Sequence, residues 1–160
     1  MKWALIVTSD RVKRNPRLDE VTPLLKKILE SRDYALIFNK IVGNNRSEIL
    51  NAFFESLIQG SDVIVVTGGT GPNPRDITVD IIKEFCDAEL PGIGEEFRRR
   101  SFEKGVKTAL ISRALACRFM DKLIVVSPGN KDAVETMMNI ILEIIEHTID
   151  QVKGKKHHSH

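Results

Sequence analysis

The sequence has few cysteines and no long apolar run. Its two cysteines, Cys86 and Cys117, lie far apart and outside any CxxC pattern. This spacing argues against a metal knuckle or a disulfide framework, and we expect both to pack as small apolar side chains. The apolar residues 3–7 form a run too short for a signal sequence, and no segment is long enough to cross a bilayer. We therefore expect a cytoplasmic protein with no membrane partner.

Aromatic residues and an excess of basic charge are also lacking. The chain has seven Phe, one Trp and one Tyr, and a net charge of only +2. Three of its positive charges, Lys153, Lys155 and Lys156, stand near the end of the sequence. Because a nucleic-acid-binding protein normally shows a basic surface stripe, we expect no nucleic-acid partner.

Hydrophobic patterning predicts alternating strands and helices. Continuous apolar runs predict strands at 3–8, 34–42 and 62–67, and helical spacing predicts helices at 18–31, 47–58, 79–85, 95–103 and 133–149. Residues 9–17 are expected to form a loop. A further strand ending at Met120 is predicted to pair antiparallel with residues 123–126 across a turn at Asp121 and Lys122.

This alternation is typical of a three-layer α/β/α domain. We predict one such α/β domain over residues 1–150, with a mostly parallel sheet and one short antiparallel edge strand. Residues 151–160 are too polar for a core, so we expect a disordered tail. His157, His158 and His160 in that tail could bind a metal, although a disordered remnant is the simpler interpretation.

The loops at the carboxyl ends of the parallel strands are expected to gather at one edge of the sheet. The loop after Thr67 contains Gly68, Gly69, Thr70 and Gly71. Glycines at these positions allow successive N–H groups to face an anion, and phosphate is the natural ligand. The loop is not a Walker A motif, because no Lys-Ser or Lys-Thr pair follows the last glycine.

Asp76 follows this glycine-rich loop closely. A phosphate would repel its carboxylate unless a cation such as Mg²⁺ bridged them, so we interpret Asp76 as a metal-binding or catalytic residue. The alternative is a plain tight turn in which Asp76 caps the helix beginning near Ile77. Three other loops of the same edge favour the functional interpretation: Thr8-Ser9-Asp10-Arg11, Gly43-Asn44-Asn45 and Ser127-Pro128-Gly129-Asn130.

Together these motifs resemble the MogA/MoaB family of molybdenum cofactor proteins. The resemblance rests on GGTGP followed by Arg75-Asp76, Thr78 and Asp80, and it spans residues 1–145. Four further segments agree in order: Ser9-Asp10-Arg11, residues 90–95 (LPGIGE), Ser112-Arg113 and residues 127–130 (SPGN). Related loops occur in the CinA family.

The resemblance implies a molybdopterin-binding fold and an enzyme that adenylylates molybdopterin with ATP and Mg²⁺, releasing pyrophosphate. It implies catalytic roles for Asp76, the Mg²⁺ ligand, and Asn44. It implies phosphate or nucleotide binding by Gly68, Gly69, Thr70, Gly71, Pro91, Gly92 and Gly94, and pterin binding by Ser9, Asp10, Ser112, Arg113, Ser127, Pro128, Gly129 and Asn130. It also implies a homotrimer or a pair of trimers, with a metal-inserting MoeA-like protein as a partner.

Asn44 departs from the family pattern, which has an acidic residue at this position. An amide oxygen can bind a cation but carries no charge, so the alternative is a molybdopterin-binding scaffold with weakened catalysis. Asn44 or Asn45 could instead serve the turn and cap the next helix. A CinA-like nucleotide pyrophosphatase is a third alternative. We expect Arg98, Arg99 and Arg100 to lie on a solvated helix face.

Overall fold

Six strands form one sheet in a computed structural model of the chain, which describes residues 1–156. The strands are β1 (Lys2–Thr8), β2 (Ala35–Val42), β3 (Val63–Thr67), β4 (Ala88–Glu89), β5 (Leu115–Phe119) and β6 (Lys122–Ser127). Their order in the sheet is β2-β1-β3-β6-β5-β4. The pairs β1–β2, β1–β3 and β3–β6 are parallel, which confirms the mostly parallel sheet.

The antiparallel part of the sheet is larger than predicted. β5 pairs antiparallel with β6 as expected, but it is not the edge strand, because β4 pairs antiparallel with its outer side. A strand of two residues shows no alternation that a sequence could reveal. The β5–β6 turn also begins one residue earlier than predicted, since Met120 has a positive φ of 53° and Lys122 already belongs to β6.

Six α-helices flank the sheet: α1 (Asp10–Arg14), α2 (Val21–Glu30), α3 (Arg46–Ile58), α4 (Thr78–Lys83), α5 (Pro91–Glu103) and α6 (Lys131–Val152). Short 3₁₀ helices cover Pro16–Leu18 and Lys107–Ile111. The prediction of a loop over residues 9–17 was wrong, because this segment contains α1. Ser9 Oγ accepts a hydrogen bond from Val12 N at 3.1 Å and caps the start of that helix.

Two helix ends also differ from the prediction. α5 begins at Pro91 rather than after it, because proline suits the first turn of a helix, where no N–H partner is needed. α6 continues to Val152, so Gln151 and Val152 belong to a helix and not to the predicted tail. His157, His158 and His160 lie outside the described residues.

Alternating side chains of the central strands enter two separate cores. Trp3 and Leu5 of β1 pack in a core beneath α2, α5 and α6, whereas Ala4 and Ile6 pack with Phe53 of α3 in the core on the other face. Both faces of the sheet are therefore covered, which confirms the three-layer α/β/α prediction. No helix within residues 1–156 is long and apolar enough to span a membrane.

Cys86 and Cys117 form a disulfide, so the prediction that they pack as separate apolar side chains was wrong. Their Cα atoms are 5.6 Å apart although 31 residues separate them in the chain. Cys117 lies in β5, and Cys86 follows α4. The bond ties the segment after α4 to the sheet, a proximity that the sequence spacing does not show.

Candidate functional site

The carboxyl ends of the four parallel strands meet at one edge of the sheet. Thr8 is paired with Val42, and Thr67 is paired with Ser127, in the strand registers. The loops that follow these residues therefore share one rim. This is the edge where doubly wound folds bind ligands.

The first glycine of the loop after β3 is held by close backbone contacts. Gly68 has a φ of +94°, and a Cβ atom there would lie only 2.1 Å from the carbonyl oxygen of Thr8. Its N–H donates to the carbonyl of Ser127 at 2.9 Å. Gly68 therefore shapes the loop, and its amide is not available to the predicted phosphate.

The next three amides are available. Within residues 1–156, the N–H groups of Gly69, Thr70 and Gly71 donate to no protein acceptor. Thr70 itself is buried, with 5% of its surface exposed, so its backbone is held in place. Three consecutive N–H groups without partners on a fixed loop form an arrangement that can bind an anion.

Asp76 packs directly against this loop. Its Oδ2 accepts a hydrogen bond from Asn73 N at 3.2 Å, and a Cβ atom at Gly71 would lie 2.6 Å from the same oxygen. Asp76 does not cap the following helix, because the N-cap of α4 is Ile77 and no side chain caps it. The prediction that Asp76 caps this helix was therefore wrong.

Arg113 holds the loop from several sides. Its backbone N–H donates to Thr70 O at 2.8 Å, and its Nε donates to Gly71 O at 3.1 Å. Its Nη2 donates to Asp76 O and its Nη1 to Asp80 Oδ1, both at 2.8 Å. This hydrogen bond lowers the pKa of Asp80 below its usual value, an effect that burial opposes. Arg113, predicted to bind the pterin, thus holds the glycine-rich loop.

Asn44 contacts the segment that carries Asp76. Its Nδ2 donates to the carbonyl of Arg75, and its N–H donates to Asp10 Oδ1 at 2.9 Å. Its Oδ1 is buried and has no hydrogen-bond partner. Capping of α3 is performed by Asn45, whose Oδ1 accepts from Ser47 N at 2.9 Å. Asn44 is therefore free of the capping role and lies beside the predicted catalytic loop.

A cavity of about 340 Å³ opens next to the three unpartnered amides. Five residues predicted from the motifs line it: Thr70, Gly71, Ser112, Pro128 and Asn130. Other lining residues were not indicated by the motifs. They are Phe97 and Ser101 of α5, together with Lys104 and Thr136. Phe97, Ser101 and Lys104 follow the i, i+4, i+7 spacing of one helix face, which is the signal that could have revealed them.

The remaining predicted pterin-binding residues lie apart from this cavity. Ser9 caps α1, and Ser127 is fully buried with its Oγ donating to Pro128 O at 3.1 Å. Ser9 and Gly129 line a second cavity of about 330 Å³, which shares Asn130 with the first. Asp10 does not line either cavity. The turn of residues 127–130 thus divides the rim into two cavities.

The segment predicted to line the nucleotide pocket is also divided. Pro91 and Gly94 border a third cavity of about 320 Å³ together with Ser112 and Arg113. Gly92 instead faces a separate groove between α5 and α6. The structure therefore places Gly92 away from the glycine-rich loop.

Arg98 was expected on a solvated helix face, and this expectation was wrong. Its Nη1 donates to the carbonyls of Ala114 at 2.9 Å and Ser112 at 3.3 Å. Arg99 and Arg100 do form surface ion pairs, with Glu96 and, for Arg100, with Glu143. Arg98 consequently fixes the backbone of the segment that separates the first and third cavities.

The oxygen atoms near the loop suit a magnesium ion that is held mainly by a substrate. Within residues 1–156, no group of three or more His, Cys, Asp and Glu side chains could hold a metal. Asp76 offers one carboxylate, and Asn44 offers a buried carbonyl oxygen without a partner. Because Mg²⁺ is usually bound by one or two carboxylates together with substrate phosphates, these two residues fit it.

Comparisons with known proteins identify the family. The family model described as "Probable molybdopterin binding domain" matches residues 4–147. The chain is 36% identical over 156 residues to "Molybdopterin adenylyltransferase" of Pyrococcus furiosus. This match covers 95% of this chain and 91% of the relative. It is 33% identical over 146 residues to "Molybdenum cofactor biosynthesis protein B" of Staphylococcus carnosus, covering 89% and 85%.

A solved structure shows the same fold. The tungsten cofactor synthesizing protein MoaB from Pyrococcus furiosus superimposes with a TM-score of 0.85 at 36% identity, and the match covers 95% of this chain and 96% of that one. Fold, ordered motifs and identity agree. The chain therefore belongs to the MogA/MoaB family of molybdopterin-binding domains in molybdenum cofactor biosynthesis.

Proposed function

We propose that this protein is a molybdopterin adenylyltransferase that uses Mg²⁺ and ATP. The relatives from Pyrococcus furiosus and Staphylococcus carnosus carry names from this reaction and pathway. The observation that carries the proposal is the row of unpartnered amides at Gly69, Thr70 and Gly71, because Thr70 and Gly71 line a cavity and Gly71 lies against Asp76. This arrangement suits a phosphorylated substrate next to a magnesium-bound nucleotide.

The reaction forms one bond and breaks one. A phosphate oxygen of molybdopterin attacks the α-phosphorus of ATP, the bond between the α- and β-phosphates breaks, and pyrophosphate leaves. A phosphate oxygen at neutral pH needs no base to remove a proton. The protein therefore has mainly to position the two substrates and to stabilise the transition-state charge.

The residues of the rim can perform these tasks. The amides of Gly69, Thr70 and Gly71 would donate to phosphate oxygens, and Arg113 would keep the loop in one conformation by its bonds to Gly71 O and Asp76 O. Asp76, with Asn44, would hold Mg²⁺, which neutralises phosphate charge when bound.

Calorimetric titration with ATP tests the nucleotide site. We expect wild-type protein to bind ATP in the presence of Mg²⁺ and to bind it much more weakly when Mg²⁺ is chelated. Asp76→Ala should remove the magnesium dependence. Asp121→Ala, at the exposed turn between β5 and β6, is the matched control and should bind as wild type. Binding that is equal with and without Mg²⁺ would contradict a magnesium site at Asp76.

Asn44 favours a second candidate, a scaffold that binds molybdopterin with little turnover. Asn44→Asp separates the two candidates. If turnover is low because Asn44 replaces an acidic magnesium ligand, the substitution should raise turnover. The structure supports the opposite result, because Nδ2 donates to the carbonyl of Arg75 and a carboxylate would place two acceptors face to face. We expect Asn44→Asp to lower turnover and leave pterin binding intact.

A nucleotide pyrophosphatase like those of the CinA family is the third candidate. It would hydrolyse dinucleotides without molybdopterin. We expect wild-type protein to release no nucleoside monophosphate from a panel of dinucleotides over hours. Hydrolysis that is lost in Asp76→Ala would favour this candidate over adenylyl transfer.

Assembly, location and partner complete the proposal. We propose a homotrimer or a pair of trimers in the cytoplasm, passing its product to a metal-inserting MoeA-like protein. The groove of about 600 Å³ between α5 and α6, with Ile144 on its wall, offers an apolar surface for subunit contact. Light scattering coupled to gel filtration would give the mass of the assembly, and a monomer at micromolar concentration would contradict it.

A further inference from the structure

Lys104, an exposed residue, presents a positive charge to the first cavity. Its Nζ donates to Thr136 Oγ1 at 2.8 Å, and that hydroxyl in turn donates to the carbonyl of Asp132 at 3.0 Å. Thr136 is buried, with 3% of its surface exposed, so its hydroxyl cannot move far. The ammonium group is thereby held at the cavity wall with donors to spare, since it has three N–H groups and uses one.

Asp132 presents a negative charge to the same cavity. It lies in the first turn of α6 and lines the cavity together with Lys104. Within residues 1–156, its carboxylate accepts no hydrogen bond, and neither Asp132 nor Lys104 forms an ion pair with the other or with a third residue. The cavity therefore offers a donor and an acceptor that are not used by the protein.

Much of the remaining wall is apolar. Phe97, Val106 and Ile111 line the same cavity, and Phe97 is almost completely buried. An apolar pocket with a few polar groups at defined positions typically binds a flat ring whose edge matches those groups. The ring that fits must carry an acceptor for Lys104 and donors for Asp132.

We propose that Lys104 and Asp132 recognise the 2-amino-4-oxo edge of the pterin ring. The 4-oxo group accepts from Lys104, and the ring N3–H with the 2-amino group donates to Asp132. The inference rests on the proposed function and deepens it by assigning the first cavity to the pterin. Adenine has an amino group where the pterin has its oxo group, so Lys104 excludes the nucleotide base from this cavity.

Binding of simple pteridines tests the assignment without any turnover. Pterin is titrated into the protein, and the intrinsic fluorescence of the pterin is followed. The titration is then repeated with 2,4-diaminopteridine, in which an amino group replaces the 4-oxo group. We expect wild-type protein to bind pterin about 10- to 100-fold more tightly than the diamino compound, the range typical of a hydrogen bond to a charged group.

Variants identify the residues responsible. Lys104→Met keeps the aliphatic stem and should abolish the preference for the 4-oxo compound, whereas Asp132→Asn should weaken binding of both compounds. Lys107→Met and Asp121→Asn are the matched controls, because both are exposed and neither lines the cavity. Both controls should bind as wild type.

Three results would overturn the proposal: equal affinity of wild-type protein for the two pteridines, an unchanged preference in Lys104→Met, or displacement of bound pterin by adenosine at similar concentrations. Failure of adenylyl transfer alone would leave the pterin assignment standing, because the titration involves neither ATP nor Mg²⁺. The two proposals can therefore fail separately.

Discussion

Nη1 of Arg113 donates to Oδ1 of Asp80 at 2.8 Å and joins the segment before β5 to the first turn of α4. The glycine-rich loop and Asp76 come shortly before Asp80 in the chain, and Arg113 donates to the backbone of both. One guanidinium thus fixes the loop that we propose to bind phosphate. This connection makes the loop's conformation depend on a residue that need not touch the substrate.

Arg113→Lys is expected to loosen the loop. Lysine has one ammonium group in place of the planar fork, so it cannot serve Gly71 O, Asp76 O and Asp80 at once. We expect the free energy of unfolding to fall by about 1–3 kcal/mol, and kcat/KM for adenylyl transfer to fall by about 10- to 100-fold.

The control for Arg113→Lys is Arg99→Lys, which changes an exposed residue paired with Glu96 and Glu103 on α5. It should alter both quantities little. Urea denaturation and steady-state kinetics measure them. If Arg113→Lys weakened pterin binding but not turnover of bound substrate, Arg113 would contact the pterin as the sequence motif predicted.

Gly71→Ala is expected to displace the Asp76 carboxylate. The added Cβ would lie 2.6 Å from Asp76 Oδ2, too close for any contact between these atoms. Magnesium-dependent ATP binding and turnover should both fall by at least about tenfold, since each depends on that oxygen.

Gly92→Ala is the matched control, because a Cβ there meets no atom within 4 Å. Gly92 lies in the first turn of α5, so alanine should leave turnover unchanged and not reduce stability. A loss of ATP affinity in Gly92→Ala would show that the segment 91–94 does contact the nucleotide, as its motif predicted.

Acid should weaken the ion pairs that Glu96 forms on α5. Hydrogen bonds from Arg99 and then Arg100 lower the pKa of Glu96 to about 2 from its usual 4.5, and Arg100 also pairs with Glu143 of α6. A carboxylate with a lowered folded-state pKa stabilises the protein above its unfolded pKa, and this contribution is lost as the pH falls through the folded value.

Glu96→Gln should therefore be less stable than wild type at pH 7. The difference should shrink as the pH falls from 4.5 towards about 2. Thermal unfolding at a series of pH values measures this, with Glu95→Gln, an exposed neighbour outside the ion pairs, as the control. A difference that stays constant down to pH 2 would contradict this role of the ion pairs.

Reduction of the disulfide should destabilise the fold. Closing a chain segment of 31 residues between Cys86 and Cys117 stabilises a protein by about 3–4 kcal/mol in the loop-closure model. We expect reductant to lower the urea midpoint of wild-type protein and to leave Cys86→Ala unaffected. Equal midpoints for oxidised and reduced wild-type protein would mean that the bond contributes nothing to stability.

The sequence predicted the sheet well where a strand is buried on both faces. All five residues of Val63–Thr67 are buried, so every position of the strand favours an apolar or β-branched side chain. The resulting continuous run is easily recognised as a strand. The two-residue strand Ala88–Glu89 and the five-residue helix Asp10–Arg14, with Val12 as its single buried residue, present too short a pattern.

The site could be predicted where its residues are close together in the sequence. The run from Gly68 to Gly71 and the nearby Asp76 are recognisable as one motif, and the structure places them in contact. Lys104 follows the end of α5 and Asp132 lies in α6, and both line one cavity only because α5 packs on α6. No local pattern could join them, and the same holds for Cys86 and Cys117.

Formation of adenylylated molybdopterin tests the central claim most directly. Purified protein is incubated with molybdopterin, Mg²⁺ and ATP, and the product is identified by mass spectrometry while pyrophosphate is measured in parallel. We predict one pyrophosphate per adenylylated pterin with wild-type protein and almost none with Asp76→Asn. Tight pterin binding with no adenylylated product from wild-type protein would contradict the claim and leave a molybdopterin-binding scaffold.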